Sequence, residues 1–225
     1  MPNYYGPKIA TDGLQLYLDA ANTKSYAGSG TDWRDLSGNS NTSSLVNGPT
    51  YSSDDGGAIV FDGSNDYING PSDSSLYTAN ITVEAWIKVT ANPSDWVRIS
   101  GTGGNTGNRT FGLWYAVDRR LLWQRYGASD PAIYPASPTL DLNSWNHVAA
   151  TTSGNSHVLY KNGAVIGTNT AAGPWAASNE KITFGFAGFH TYTTGRIASV
   201  KLYTTALSKE QILENYNANK ARFGL

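Results

Sequence analysis

Short runs in which every second residue is apolar recur along most of the chain. In GLQLYLDA, Leu14, Leu16 and Leu18 alternate with Gln15, Tyr17 and Asp19, the period of a strand buried on one face. AIVFDGSNDYI puts Ile59 and Phe61 on one side and then turns through Gly63 and Asn65 into a second short strand. ITVEAWIKV is the clearest case: Ile81, Val83, Ala85, Ile87 and Val89 point one way, and Thr82, Glu84, Trp86 and Lys88 the other. DWVRIS, RTFGLWYAV and LLWQRY follow, the last two joined as a hairpin at Asp118 and Arg119. SWNHVAATTSG, SHVLYKNGAVIGT and KITFGFAGF repeat the spacing, with Asn162-Gly163 as the strongest type I′ turn signal. About a dozen strands at this spacing predict a two-sheet antiparallel sandwich.

Only ALSKEQILENYNANKARF changes period. Ser208 stands three residues before Gln211 as a capping box, and Ile212, Leu213 and Tyr216 form an apolar stripe. The spacing predicts an amphipathic helix over 208–220, docked by that stripe on the sandwich's own sheet. The expected organisation is an extended N-terminal arm over 1–12, one sandwich over 13–207, and a helix with its tail over 208–225.

Composition narrows the class. With 225 residues, 40% of them hydrophobic, the chain is long enough for one domain with a substantial core. A net charge of −1 and the lack of any Lys/Arg run argue against nucleic acid as a partner. No basic segment leads an apolar run of signal-peptide length, and nowhere do about 18 apolar residues run together, so neither a Sec signal nor membrane insertion is expected. There is no cysteine, hence no disulfide framework, thiolate zinc site or cysteine nucleophile.

FDGSNDYI, ITVEAWIKV, SWNHVAATTSG with HVLYKNGAVIGT, and GRIASVKLYTTALSKEQILENY together resemble the concanavalin A-like, laminin-G-like jelly roll, in family order across nearly the whole chain. The resemblance implies an all-β fold, a two-sheet antiparallel jelly-roll sandwich with one C-terminal amphipathic helix. GPKIATDGLQLYLDAANTKSYAGSGTDWRDLSGNSN at the front and NYNANKARFGL at the back are similar to laminin-G-like structural proteins of tailed bacteriophages, especially those infecting cyanobacteria. That resemblance implies a non-enzymatic virion component, made in the host cytoplasm and displayed on the virion surface as a capsid decoration or a tail or fibre appendage. Its partners would be other virion proteins or further copies of itself, and host cell-surface polysaccharide. The alternatives are a glycan-binding lectin or adhesin module, with or without calcium, and an enzyme acting on polysaccharide.

Glycoside hydrolases of this fold place two acids on one strand face, in a spacing such as E-x-D-x-x-E, to flank the scissile bond. The glutamates here are Glu84, Glu180, Glu210 and Glu214; Glu84 stands alone on its strand and the last two fall in the helix. His147, His157 and His190 share no ligand spacing, and no G-x-S-x-G elbow is present. DGSND offers Asp62, Asn65 and Asp66 as hard oxygen ligands for calcium, and DLSGNSN over 35–41 is a turn of the same kind. The competing reading is that these side chains cap turns. Calcium-holding relatives carry an acidic pair where this chain has Ala198 and Ser199. No cofactor is therefore expected, with calcium as the alternative.

For a ligand, Trp114 shares its face with Gly112 and Ala116, leaving its ring open for sugar stacking with Tyr126 nearby; alternatively Trp114, Trp123 and Trp86 fill the inter-sheet core. The aromatic and apolar ends, Tyr4 and Tyr5 at the front and Phe223 and Leu225 at the back, are candidate assembly arms that order on a neighbouring subunit. The alternative is that Phe223 folds back over its own domain.

Overall fold

A computed structural model of the chain describes residues 8–72, 76, 78–103, 109–127, 129, 131–176, 179–188 and 190–225. Tyr4 and Tyr5 lie outside the described residues. In chain order the strands are β1 (Leu14–Asp19), β2 (Asp32–Trp33), β3 (Ser43–Val46), β4 (Thr50–Ser52), β5 (Ala58–Asp62), β6 (Tyr67–Asn69), β7 (Ile81–Val89) and β8 (Val97–Thr102). They continue with β9 (Phe111–Tyr115), β10 (Leu121–Arg125), β11 (Ala132–Ile133), β12 (Trp145–Ser153), β13 (Ser156–Lys161), β14 (Ala164–Thr170), β15 (Ile182–Phe184) and β16 (Thr194–Tyr203), before helix α1 (Lys209–Asn219).

The first sheet runs β14-β13-β12-β7-β16-β5-β4. β1 also pairs with β16, taking the Ser199 to Tyr203 part of the edge whose other part pairs with β5. The second sheet runs β11-β10-β9-β8-β15-β6-β3-β2, and every pairing in both sheets is antiparallel. The Asn162-Gly163 turn joins β13 to β14 with both residues at positive φ, as a type I′ turn requires, and Arg119 at φ 65 turns β9 into β10.

The core lies between the sheets, and the period-two faces fall as the alternation dictates. Ile81, Val83, Ala85, Ile87 and Val89 of β7 join Leu16, Leu18, Ile59 and Phe61 in it, with Trp123 entering from the second sheet. The opposite side of β7 is buried as well: Thr82, Glu84 and Trp86 are each at most 1% exposed. Trp86 therefore packs outside the inter-sheet core, beneath the C-terminal segment.

Ser208 caps α1 as expected; its Oγ accepts from the Gln211 N–H while Gln211 Oε1 accepts from the Ser208 N–H. The docking stripe differs from expectation at one position. Ile212 is buried and Tyr216 stacks on Trp86 at 5.7 Å, but Leu213 is 42% exposed and Asn215 takes the buried place. Positions 212, 215 and 216 lie on one helical face, and 213 is rotated about 100° from 212. A 3-10 turn over Lys220–Phe223 follows. Phe223 folds back, its ring 4.2 Å from Trp86 and 4.7 Å from Trp145. Of the two alternatives the sequence leaves for Phe223, the structure shows the fold-back over its own domain, with two indoles covering it, while Leu225 is left exposed.

Candidate functional site

Two polar constructions stand out, one under the helix and one on the far side of the molecule. Under α1, Glu84 accepts from Asn215 Nδ2 at 2.7 Å and lies 3.4 Å from Lys201 Nζ and 3.6 Å from His147 Nε2. Burial alone would raise its pKa, but Lys201, His147 and Asn215 together hold the carboxyl below its ordinary range. Asn215 also donates to the Tyr203 hydroxyl and accepts from the Ala10 N–H, while Arg222 pairs with Asp19 at 2.8 Å. Glu84 is thus sealed from solvent and fastens the helix to the sheet.

The outer face of the second sheet is built differently. With Val97, Ile99, Phe111, Leu113, Leu121, Trp123, Ile182, Phe184 and Ile68 turned into the core, alternation sends Arg98, Gly112, Trp114, Leu122, Gln124, Thr183, Tyr67 and Asn69 outward. Register sets Arg98 beside Trp114 and Gly101 beside Gly112, and it sets Thr183 beside both Gly101 and Asn69. The paired glycines decide the relief. A Cβ on Gly112 would meet Trp114 Nε1 at 1.9 Å, and one on Gly101 would meet the Phe111 carbonyl oxygen at 2.7 Å and Arg98 Cδ at 3.2 Å. Only without side chains there can the indole and the guanidinium lie flat along the sheet.

Two hollows open on this face. The smaller, about 200 Å³, is lined by Trp96, Arg109, Trp114, Gln124, Tyr126 and His190. It brings together both sequence-predicted ligand residues, but Trp114 is 3% exposed, with the Arg98 guanidinium 4.6 Å from its ring centroid and the His190 ring edge-on at 5.8 Å. The expected open stacking platform is therefore covered. Tyr126 is 8% exposed; its hydroxyl donates to Gln124 Oε1 and accepts from Arg109 Nη1. The larger hollow, about 510 Å³, is lined by Tyr67, Asn69, Arg98, Asn179, Lys181 and Phe186 among others. Phe186 stacks on Tyr192 at 3.9 Å and leans on Tyr67 at 5.6 Å, which stiffens an aromatic wall. Arg98 lines the larger hollow and lies on Trp114, which lines the smaller, so the two form one trough.

The acidic turn is occupied by its own backbone. Asp62 Oδ1 accepts from the Ser64 and Asn65 N–H groups, and Asp66 Oδ2 accepts from the Asp62 N–H. Asp66 is buried, which raises its pKa. Asn65 contributes its carbonyl oxygen to Asn47 Nδ2. Asp35 likewise caps the Tyr17, Ser37 and Asn41 N–H groups. Both segments are Asx-type turns. Among the described residues no group of three or more His, Asp or Glu side chains converges as a metal site.

The histidines stay apart: His147 packs beside the stacked Trp86 and Tyr216 rings, His157 bonds Thr152 and the Ala171 carbonyl, and His190 bonds Asp95 at the trough. Sequence reasoning missed Arg98, Tyr67, Lys181 and Phe186. The Gly101 and Gly112 pair was the available signal, but it has meaning only once strand register is known.

Sixteen strands in two apposed antiparallel sheets among the described residues, with a trough on one outer face, define a concanavalin A-like jelly roll. The chain belongs to the concanavalin A-like lectin/glucanases superfamily, whose family model matches residues 62–213. Among solved structures it is similar to the binding domain of Paraclostridial Mosquitocidal Protein 1, with a TM-score of 0.73 at 18% identity over 92% of this chain and 52% of that one. It is similar to Trypanosoma rangeli sialidase in complex with the inhibitor DANA, with a TM-score of 0.71 at 17% identity over 96% of this chain and 34% of that one. It is also similar to domain 4 of AbnA, a GH43 extracellular arabinanase from Geobacillus stearothermophilus in complex with arabinotriose, with a TM-score of 0.71 at 17% identity over 90% of this chain and 98% of that one. The chain thus spans about half of the first and about a third of the second. At these identities the likeness is one of fold. No curated protein matches the chain in sequence.

Proposed function

We propose that the protein is a non-catalytic glycan-binding module whose ligand lies along the trough on the outer face of the second sheet. The larger hollow carries the reading: an aromatic wall of Tyr67 and Phe186, the amides of Asn69 and Asn179 and the exposed Lys181 surround an open cleft. This is the combination that presents faces to sugar rings and donors and acceptors to hydroxyls. Among the described residues that line the two hollows, Glu180 is the single carboxylate, where glycoside hydrolysis takes two. The near full-length likeness to domain 4 of an arabinanase, solved with arabinotriose, supports the same reading. The resemblance of both chain ends to virion proteins supports display on a phage particle, where the ligand would be host cell-surface polysaccharide and the module's neighbours other virion proteins.

A panel of host and plant polysaccharides, followed by calorimetry on the binders, tests the reading. Tyr67→Ala and Phe186→Ala are expected to weaken binding about ten-fold each, a loss of about 1.4 kcal/mol, with no reducing ends released and no effect of EDTA. Absence of any glycan ligand, or release of reducing sugar, overturns it. Stoichiometric recovery of the protein from purified particles, by mass spectrometry, tests the display.

A further inference from the structure

We propose that the buried network under α1 is a self-modification site, at which Lys201 and Asn215 join through an isopeptide bond with release of ammonia. Glu84 moves the protons.

Register places Lys201 of β16 directly across from Glu84 of β7, and α1 brings Asn215 down onto the same carboxylate. Glu84 thus stands between a nucleophile and an electrophile: its Oε2 faces Lys201 Nζ at 3.4 Å, and its Oε1 accepts from Asn215 Nδ2 at 2.7 Å. All three residues are at most 1% exposed. Asn215 Oδ1 accepts from the Ala10 N–H at 2.8 Å, a donor already aimed at the oxygen on which negative charge develops when the amide is attacked. The Tyr203 hydroxyl and the Tyr17 ring wall the site, the ring centroid 5.3 Å from Nζ. Holding a helix in place does not call for this set, because well-packed apolar side chains do so without burying two charges. An amine, a primary amide and a carboxylate that relays protons between them, sealed from water, are what amide exchange takes.

The step balances within the site. Against the effect of burial, Lys201 and then His147 hold Glu84 ionised, so it begins as a base. Passing one proton from Nζ to Oε2 removes two buried charges at once and frees the amine's lone pair. The flexible lysine stem then carries Nζ onto Asn215 Cγ. The Nζ–Cγ bond forms as the carbonyl electron pair moves onto Oδ1. When that pair returns, the Cγ–Nδ2 bond breaks; Glu84 gives its proton to Nδ2 and takes the second proton that Nζ sheds. The nitrogen leaves as ammonia and carries this last proton off as ammonium, so Glu84 ends ionised as it began. Folding comes first, since the three side chains meet only through strand register and helix docking. A newly folded chain therefore carries the hydrogen-bonded network alone.

Intact-mass spectrometry of the full chain, followed over days at neutral pH, tests this. A species lighter than the sequence by one ammonia, about 17 Da, is expected to accumulate. Trypsin should then release one branched peptide joining residues 197–209 to 210–220, with no cut after Lys201. Glu84→Gln keeps the shape and removes the proton carrier, so conversion should slow about 100-fold or more. Lys201→Arg and Asn215→Ala should stop it. The parent's own mass and peptide map decide the matter should these variants fail to fold. A parent that never becomes lighter overturns the proposal. So does an ammonia loss that maps to a succinimide at Asn47, Asn69 or Asn162, each of which precedes a glycine. A branched peptide that forms as fast in Glu84→Gln overturns the role given to Glu84.

Discussion

Asn215, in the middle of α1 with no exposure, uses its whole amide: Oδ1 accepts from the Ala10 N–H at 2.8 Å, and Nδ2 donates to Glu84 at 2.7 Å and to the Tyr203 hydroxyl at 3.1 Å. Truncation to alanine leaves a buried carboxylate and a buried N–H without this partner, so Asn215→Ala is expected to cost about 2–3 kcal/mol in urea denaturation. Leu213→Ala, four-tenths exposed two positions earlier, should stay within about 0.5 kcal/mol. Equal effects from the two would refute the assigned helix face. Val83, fully buried between the sheets, gives the opposite lesson: Val83→Asp is expected to unfold the domain, and a soluble variant with parental stability would contradict that placement. The facing of Val83 was legible because a period of two reports directly which side of a strand is dry. Asn215 was not, because a polar residue in a helix ordinarily faces water, and its partner Glu84 lies 131 positions away.

At the scale of elements, strands and their turns are written locally, which is why the Asn162-Gly163 and Asp118-Arg119 hairpins fall where the sequence puts them. Two-residue strands such as β2 and β11 carry too short a pattern to be read, and they exist because longer neighbours template them. The trough belongs to no single element: it needs Arg98 on β8, Trp114 on β9 and Thr183 on β15 brought level by register. The C-terminal segment was half legible, its capping box plain and its destination not. Because Phe223 packs on Trp86 and Trp145, Phe223→Ala is expected to destabilise the monomer by about 3 kcal/mol. Deleting 221–225, which also removes the Arg222 pair to Asp19, should lower its melting temperature further. An unchanged melting temperature with lost oligomerisation would restore the arm.

For the whole molecule, the buried carboxylate under α1 ties stability to pH at the acid end. Its folded pKa lies below the ordinary 4.5, so its contribution is complete above that value and is lost as pH falls through the folded one. A chemical-denaturation series from pH 7 down to pH 3 should show stability falling below about pH 4.5, with a shallower fall in Glu84→Gln, which starts from a lower plateau; parallel curves would remove Glu84 as the cause. The helix and tail occupy one broad side and the trough the other, so a partner that grips the C-terminal side leaves the trough open. β16 has a further consequence, for synthesis. It lies at the heart of the first sheet, with β7 along one edge and β5 and β1 along the other, yet of the strands described in the two sheets the ribosome delivers it after all the others. Until it emerges, the nascent chain holds β5 and β7 with facing edges unpaired, and those edges are the surface a chaperone must shield.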